Sequence, residues 1–256
     1  MNDFLDKIRK SVLERVTNIQ INPSERLVIK DFCAIFNTSP AIIAEVKLHS
    51  PSLGAIYNGC LSALEIATGY IQNGAHALSV LTEPNYFKGN IQTLKDIHQL
   101  HPDCPLLLKD FVISTIQIQQ AYFAGASAVL LIVAFLSADL LKDLYNYTQS
   151  LGLTALIEVH NEEELNIALS LKPKLIGINN RNLKTLKIDT KISKSLIKYV
   201  PDDVLVVCES GIRSAEEIKN MHALSFDGFL IGSHFMQSNR PQDALSALLK
   251  GVNYAR

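Results

Sequence analysis

The sequence lacks an excess of charge and a long apolar run, and each absence excludes a class of protein. Its 24 lysines and arginines nearly balance 25 aspartates and glutamates, which leaves a formal net charge of −1. Because binding to nucleic acid or to an anionic membrane relies on excess positive charge, we expect neither partner. No apolar run reaches the roughly 18 residues needed to span a bilayer, and the N-terminal segment lacks a signal-peptide core. We therefore expect a cytoplasmic protein.

The sequence also lacks the cysteine patterns of disulfide-rich and metal-binding proteins. Its four cysteines, Cys33, Cys60, Cys104 and Cys208, are far apart and form no C-x-x-C motif. No pair of histidines stands at metal-ligand spacing. Such a pattern is typical of free thiols in a reducing compartment. The sequence thus predicts no metal site.

Short apolar runs recur through the chain, and each is nearly continuous rather than strictly alternating. Parallel strands that are covered on both faces have this pattern. The eight runs are AIIAEVK (41–47), ALSVLTE (77–83), PLLLKDF (105–111), AVLLIVA (128–134), TALIEV (154–159), LIGINNR (175–181), VLVVCES (204–210) and GFLIGS (228–233).

Segments with helical periodicity lie between these runs, and several begin after a residue that can cap a helix. These caps are Ser114, Ser137, Asn161 and Ser214. Eight strands that alternate with helices predict an α/β protein with a closed (β/α)8 TIM barrel. An open doubly wound sheet is the alternative, but no G-x-G-x-x-G follows the first strand.

Residues 1–40 exceed what eight βα units require and are predicted to form a helical extension. One helix is expected over LDKIRKSVLERV, followed by a break at Asn22-Pro23 and a second helical segment over ERLVIKDFCAIF. We find no linker and no second domain. The chain is therefore predicted to be one domain over 1–256, with the barrel over 41–256. The extension either covers one end of the barrel or only packs against it.

Polar residues gather where the predicted strands end, which is where a barrel of this kind has its active site. The strand ends carry Glu45, Lys47, Thr82, Glu83, Lys109, Asp110, Glu158, Asn179, Asn180, Arg181, Glu209 and Ser210, whereas the fourth strand ends in apolar residues. Solvated strand ends and structural ion pairs are the alternative interpretations. In a partly desolvated pocket, however, lysines that face glutamates acquire pKa values suited to proton transfer.

Small residues follow the last two predicted strands. Ser210-Gly211 precedes a helical segment, and Gly232-Ser233 precedes a short polar stretch. Such residues let backbone N–H groups approach a phosphate, and a helix N-terminus adds a favourable dipole. The pattern indicates a small phosphorylated ligand.

These motifs together resemble the indole-3-glycerol phosphate synthase family, from about residue 42 to residue 236 and in the same order. The segments that carry the resemblance are IIAEVKLHSPSLGAI (42–56), LSVLTEPNYFKGN (78–90), PLLLKDFVIS (105–114), LLIVAFL (130–136), LIEVHNEEEL (156–165), IGINNRNLKTLKID (176–189), CESGI (208–212) and LIGSHFM (230–236). The helical N-terminal extension also suits this family.

The resemblance implies a lyase of tryptophan biosynthesis that needs no cofactor. Its substrate, 1-(2-carboxyphenylamino)-1-deoxyribulose 5-phosphate, loses carbon dioxide and water as the pyrrole ring closes. Lys109 is then the general acid at the ketose carbonyl, and Glu158 is the acid/base partner in the dehydration. Lys47 is implied to bind a substrate carboxylate or phosphate and to deliver a later proton, while Glu45 holds and tunes the lysines.

The resemblance assigns binding roles to further residues. Asn179, Arg181 and Glu209 are implied to orient the substrate hydroxyls and charges, Ser210 to line the site, and Ser50 to contact substrate from a mobile first loop. The phosphate is implied to bind Lys47 and the backbone of Gly211, Gly232 and Ser233. The implied apolar wall for the aryl ring consists of Leu81, Phe87, Phe111, Leu130 and Ile132.

The sequence departs from the family in two places. Leu48, His49 and Leu53 stand where the family often has basic residues, which predicts weaker substrate capture or altered closure of the first loop. Ser233-His234 stands where the family frequently has a glutamate after the glycine. This change removes a negative charge close to the predicted phosphate.

Two other functions are weighed against this one. Another phosphosugar barrel isomerase predicts a catalytic aspartate or cysteine on strands one and five, where this chain has Lys47 and Glu158. A non-catalytic barrel subunit predicts the loss of an acid/base residue, yet every expected charged position is filled. We expect a monomer, and docking to another enzyme of the pathway stays open.

Overall fold

Eight parallel strands close into a barrel in the computed structural model, which describes residues 4–21, 28–38 and 40–252. The strands are β1 (Ala41–Val46), β2 (Ala77–Leu81), β3 (Leu106–Lys109), β4 (Ala128–Ile132), β5 (Thr154–Val159), β6 (Leu175–Asn179), β7 (Leu205–Glu209) and β8 (Gly228–Ile231). Each strand pairs with its neighbour in sequence, and β8 pairs with β1 to close the ring. The predicted (β/α)8 barrel is confirmed.

The nearly continuous apolar runs serve two separate cores. Because successive strand residues point to opposite faces, Ile43 and Leu107 pack inside the barrel with Leu230, while Ile42 and Leu108 pack against the outer helices. The same alternation places the next inward positions at the carboxyl ends of the strands. The charged strand-end residues therefore point into the barrel mouth.

Helices alternate with the strands and surround the barrel. They are α1 (Phe4–Val16), α2 (Ala63–Gln72), α3 (Ile91–Leu100), α4 (Thr115–Ala124), α5 (Ala138–Ser150), α6 (Glu162–Ser170), α7 (Lys191–Leu196), α8 (Ala215–His222), α9 (Ser233–Met236) and α10 (Pro241–Val252). Short 3₁₀ helices are Phe32–Asn37, Val133–Phe135 and Ile197–Tyr199. The predicted caps Ser114, Ser137, Asn161 and Ser214 each accept a hydrogen bond from a backbone N–H in the first turn. Within the described residues, no helix combines the length and the apolar character needed to cross a membrane.

The N-terminal extension contacts both ends of the barrel rather than one. Helix α1 lies across the loops that follow β2, β3 and β4, where Arg9 Nη2 donates to the Phe135 carbonyl at 2.6 Å. At the opposite end, the Phe36 ring packs on Gly228, the first residue of β8. Helix α1 therefore lies over the carboxyl end of the barrel, and the 3₁₀ segment that follows reaches the opposite end.

The second helical segment of the extension is shorter than predicted. Residues 28–31 are not helical, and a 3₁₀ helix begins only at Phe32. Asp31 explains this start, because it is extended and its Oδ1 accepts a hydrogen bond from the Cys33 N–H at 2.9 Å. The predicted break at Asn22-Pro23 and the segment from Glu25 to Leu27 lie outside the described residues.

Candidate active site

A cavity of about 380 Å³ opens at the carboxyl ends of the strands, and all eight strands contribute to its wall. Its volume falls within the roughly 300–1,000 Å³ that is typical of small-molecule sites. The predicted residues that line it are Glu45, Lys47, Leu81, Phe87, Lys109, Phe111, Leu130, Ile132, Glu158, Asn179, Arg181, Glu209, Ser210, Gly211, Gly232 and Ser233. Residues that are far apart in the chain thus meet in one cavity.

Lys109 lies between two buried glutamates. Its Nζ donates to Glu158 Oε2 at 3.1 Å and also to Glu209 Oε2. The Lys109 side chain is 13% exposed, and the two carboxylates are 2% and 3% exposed. Lys47 forms a second pair, in which its Nζ donates to Glu45 Oε1. The two lysines and the three glutamates that contact them therefore share the cavity.

Burial and charge shift the pKa values of the central three groups in different directions. Burial lowers the pKa of Lys109, but the negative charges of Glu209 and Glu158 outweigh burial and raise it above its ordinary value. Burial raises the pKa of Glu158, yet Lys109 and His160 bring it well below its ordinary value. Burial and the nearby Glu158 charge raise the pKa of Glu209 despite Lys109. At neutral pH, Glu158 is therefore the ionised carboxylate of the two.

Two glycines make room for the glutamates. A methyl group on Gly177 would collide with Glu209 Oε1, and one on Gly232 would lie 2.5 Å from Glu45 Oε1. Glu209 Oε1 is buried and has no hydrogen-bond partner among the described residues. An unpaired buried acceptor of this kind is costly, and it faces the same cavity in which a substrate hydroxyl could supply the missing hydrogen bond.

The apolar wall consists of the predicted residues and seven more. The Phe111 ring lies 6.2 Å from that of Phe87 and 5.1 Å from that of Phe135, in tilted and edge-on arrangements. The seven additional lining residues are Leu183, Leu186, Ile188, Leu53, Ile212, Leu230 and Ile231. Sequence reasoning missed the first three because they belong to the loop after β6. In this loop Arg181 forms an antiparallel β-bridge with Ile188, and the Arg181 Nη1 donates a hydrogen bond to the Leu186 carbonyl at 2.9 Å.

The loops after β7 and β8 form the side of the cavity where small residues were predicted to hold a phosphate. Ser210 and Gly211 both adopt positive φ, at 65° and 94°. Such a backbone is strained for serine, and it turns the chain sharply at the end of β7. Arg213 and His234 also line this side and were not predicted. Burial and the charge of Arg213 lower the pKa of His234.

The first loop, which carries the predicted substrate contact Ser50, forms a small hairpin in which His49–Ser50 pairs with Gly54–Ala55. Ser50 is buried within this turn and its Oγ accepts a hydrogen bond from the Leu53 N–H at 3.3 Å. Ser52 and Leu53 line the cavity, and Ser50 does not. The Ser50 hydroxyl thus supports the turn of the loop, and its contact with substrate stays a prediction.

Two other strand-end carboxylates have structural partners. Glu83 accepts hydrogen bonds from the N–H groups of Asn85, Tyr86 and Phe87 at 3.0, 2.7 and 2.9 Å, which folds the loop that carries Phe87. Asp110 accepts two hydrogen bonds from Arg15 on α1, at 2.6 and 2.9 Å. Glu83 and Asp110 therefore line the cavity and also anchor the loops around it.

The chain was compared with known proteins. The family model described as indole-3-glycerol phosphate synthase matches residues 4–248. The chain is 39% identical over 263 residues to the indole-3-glycerol phosphate synthase of Aliarcobacter butzleri, with 99% of each chain covered. It is 44% identical over 207 residues to that of Nautilia profundicola, which covers 81% of this chain and 79% of the relative.

Among solved structures, 3-hexulose-6-phosphate synthase from Salmonella typhimurium is similar with a TM-score of 0.67 and 11% identity, covering 83% of this chain and 98% of the other. At this identity the likeness shows the barrel fold alone. The family is shown by the match over 245 residues, from 4 to 248, together with relatives at 39–44% identity. This chain belongs to the indole-3-glycerol phosphate synthase family.

Proposed function

We propose that the barrel-mouth cavity carries out the reaction of this family, with Lys109 and Glu158 as its principal proton-transfer groups. The substrate is 1-(2-carboxyphenylamino)-1-deoxyribulose 5-phosphate and the product is indole-3-glycerol phosphate. The observation that carries the proposal is the Lys109 ammonium held between Glu158 and Glu209 inside a cavity that also has an aromatic wall.

Lys109 acts as the general acid in this proposal. Its raised pKa keeps the ammonium protonated at neutral pH, and a protonated group within hydrogen-bond reach is what a general acid requires. It donates a proton to the ketose oxygen as the ring carbon attacks the carbonyl carbon. Carbon dioxide then leaves, and the electrons of the broken bond restore the aromatic ring.

Glu158 serves the dehydration. Since it rests as a carboxylate, it accepts the proton that the ring system loses, while Lys47 gives the departing hydroxyl the proton with which it leaves as water. Glu209 Oε2 accepts a hydrogen bond from the same ammonium, and the unpaired Glu209 Oε1 can accept a hydrogen bond from a substrate hydroxyl. Asn179 and Ser210 line the same part of the mouth as orienting groups.

The anionic groups of the substrate are assigned to the cations and small residues of the rim. The phosphate binds Lys47 and the backbone of Gly211, Gly232 and Ser233. Arg181 orients the substrate, and Glu45 holds Lys47 in place. Arg213 adds positive charge beside the phosphate and His234 adds a ring N–H donor, which compensates for the missing basic residues of the first loop.

The aryl ring is assigned to the apolar wall. Leu130 and Ile132 come from the apolar fourth strand, and Leu81, Phe87 and Phe111 complete the surface. An aryl group needs such a dry face, and a few polar groups around it fix its orientation. The substrate is thus held with its ring on one side and its sugar among the charges.

We further propose that the enzyme works as a cytoplasmic monomer on this small substrate. The near-neutral net charge of −1 supports the absence of nucleic-acid and membrane partners. Sedimentation at micromolar concentration, with and without substrate, tests the oligomeric state. A dimer would contradict this part of the proposal alone.

The reaction itself is tested by incubating the purified chain with the anthranilate-derived ribulose phosphate and following indole fluorescence. We expect one carbon dioxide released for each indole formed. The Lys109→Met variant, purified in parallel, controls for contaminating enzyme from the host. If the purified chain turns over no faster than that variant, the proposed assignment of the reaction to Lys109 fails.

A further inference from the structure

His160 connects the floor of the cavity to the start of an outer helix. Its Nε2 lies 3.3 Å from Glu158 Oε1, an ion-pair contact, and its Nδ1 lies 2.9 Å from Glu164 Oε2. Glu158 turns its other oxygen, Oε2, toward Lys109. Each oxygen of the Glu158 carboxylate therefore has its own cationic neighbour. The His160 side chain is 9% exposed and is not part of the cavity wall.

Glu164 holds His160 from the helix side. Its Oε2 accepts the backbone N–H of His160 at 2.8 Å as well as the contact from the ring, and its Oε1 accepts Asn161 Nδ2 at 2.6 Å. Asn161 is in turn the N-cap of α6, where its Oδ1 accepts the Glu164 N–H. The orientation of the imidazole is thus set by the first turn of α6.

Two carboxylates face His160, Glu158 from β5 and Glu164 from α6. The 3₁₀ turn Val133–Phe135, which packs on α6, contributes only apolar side chains. Burial lowers the pKa of His160, but the two carboxylates outweigh burial and raise its pKa to about 10. At neutral pH the ring is therefore an imidazolium with an N–H on both nitrogens.

We propose that His160 is a positioning residue for Glu158, holding this carboxylate ionised and turned toward Lys109. The inference rests on the proposed role of Glu158. Charges alternate in sign along the connected groups Glu164, His160, Glu158 and Lys109. Loss of the imidazolium therefore leaves Glu158 Oε1 without its cationic neighbour. It also removes a positive charge that favours the ionised form of Glu158.

Two substitutions separate charge from shape. His160→Leu removes both ring contacts, and His160→Gln keeps an uncharged N–H donor near Glu158. We expect kcat to fall roughly tenfold to a hundredfold in His160→Leu, as for other displaced catalytic groups, and less in His160→Gln. KM should change less than twofold, because His160 does not line the cavity. The acid limb of the kcat–pH profile should move to higher pH, since the pKa of Glu158 rises.

A double-mutant cycle shows whether His160 acts through Glu158. In the Glu158→Gln background, His160→Gln should have no further effect on kcat. If His160→Gln lowers kcat by the same factor in both backgrounds, His160 does not act through Glu158 and the inference fails. If Glu158→Gln alone keeps the original kcat, the proposed function of Glu158 fails instead. The two failures are therefore distinguishable.

His76 provides a matched control at the other end of the barrel. Its Nδ1 accepts the Ile42 N–H at 3.1 Å, so its replacement also removes a contact made by a largely buried ring. His76→Gln should lower the melting temperature and leave the kcat–pH profile unchanged. If His160→Gln behaves like His76→Gln in both measurements, His160 is only structural and the proposal is overturned.

Discussion

Lys109 Nζ donates a hydrogen bond to Glu158 Oε2 across 3.1 Å, although the two residues are 49 positions apart. Neighbouring strands do not explain this contact, because β3 and β5 are separated by β4 in the barrel. Both side chains reach inward from the last interior position of their strands. The closure of the barrel therefore creates the ion pair.

Lys109→Met should lower kcat by roughly 10²- to 10⁴-fold, because a positioned general acid is lost. Binding of the substrate should stay largely intact, since Lys47 and the phosphate side of the cavity are unchanged. Indole fluorescence measures kcat, and calorimetry measures the dissociation constant. The control is Lys30→Met, which removes an exposed lysine paired with Asp103 at 2.7 Å. Turnover in Lys109→Met equal to that of Lys30→Met would exclude the acid role.

The two central glutamates should affect stability with opposite dependence on pH. Glu209 has a raised pKa, about 8, so its contribution is fully present below the unfolded value of about 4.3 and is lost as pH rises through the folded value. Glu158 has a lowered pKa, so its contribution is present above about 4.3 and is lost as pH falls through the folded value.

We therefore expect the melting temperature of Glu209→Gln to rise relative to that of the original chain as pH increases from about 5 to about 9. The melting temperature of Glu158→Gln should fall relative to that of the original chain as pH increases from about 3 to about 6. Differential scanning calorimetry at a series of pH values checks both trends. Parallel curves for the two variants would contradict the opposite shifts of the two carboxyls.

Gly177→Ala should impair catalysis with little effect on the fold. The added methyl group meets Glu209 Oε1, so the carboxylate must turn away from Lys109. We expect kcat to fall about tenfold or more, as small displacements of catalytic groups have effects of this order. Gly152→Ala is the control, because that glycine has a φ of +77° and open space around it. It should cost about 1 kcal/mol of stability and leave kcat unchanged.

Arg15→Met should show that α1 supports the active site. Arg15 is 22% exposed, and its two hydrogen bonds hold Asp110, the residue that follows Lys109. We expect the free energy of unfolding to fall by about 2 kcal/mol, which is typical for a hydrogen bond to a charged group, and kcat to fall with it. Urea denaturation gives the first quantity. Arg240→Met, at a surface pair with Asp243, should change neither.

The sequence predicted the barrel well because its signals are local. A strand covered on both faces needs apolar residues throughout, so the runs ending near Lys109 and Glu158 could be located within a few residues. Helix starts at Ser137 and Asn161 were predictable because a cap depends only on its own first turn. The charged residues at the strand ends then predicted most of the cavity wall, because parallel strands bring their carboxyl ends to the same end of the barrel.

The parts that were missed depend on contacts between distant segments. His160 could be placed immediately before the cap Asn161 from the sequence. Its contact with Glu158 on the cavity side could not be predicted. The 3₁₀ helix at Phe32 brings apolar rings to the end of the barrel at which the strands begin. Whether these rings fit there depends on the width of the closed sheet.

The contacts of α1 also constrain the order in which the molecule is assembled. Its partners Asn85, Asp110 and Phe135 lie 74, 95 and 126 positions further along the chain. On the ribosome, this helix emerges long before the residues that receive it. Its apolar side, with Ile8 and Val12, stays uncovered until translation has reached Phe135, so α1 can dock only after about half of the chain has been made.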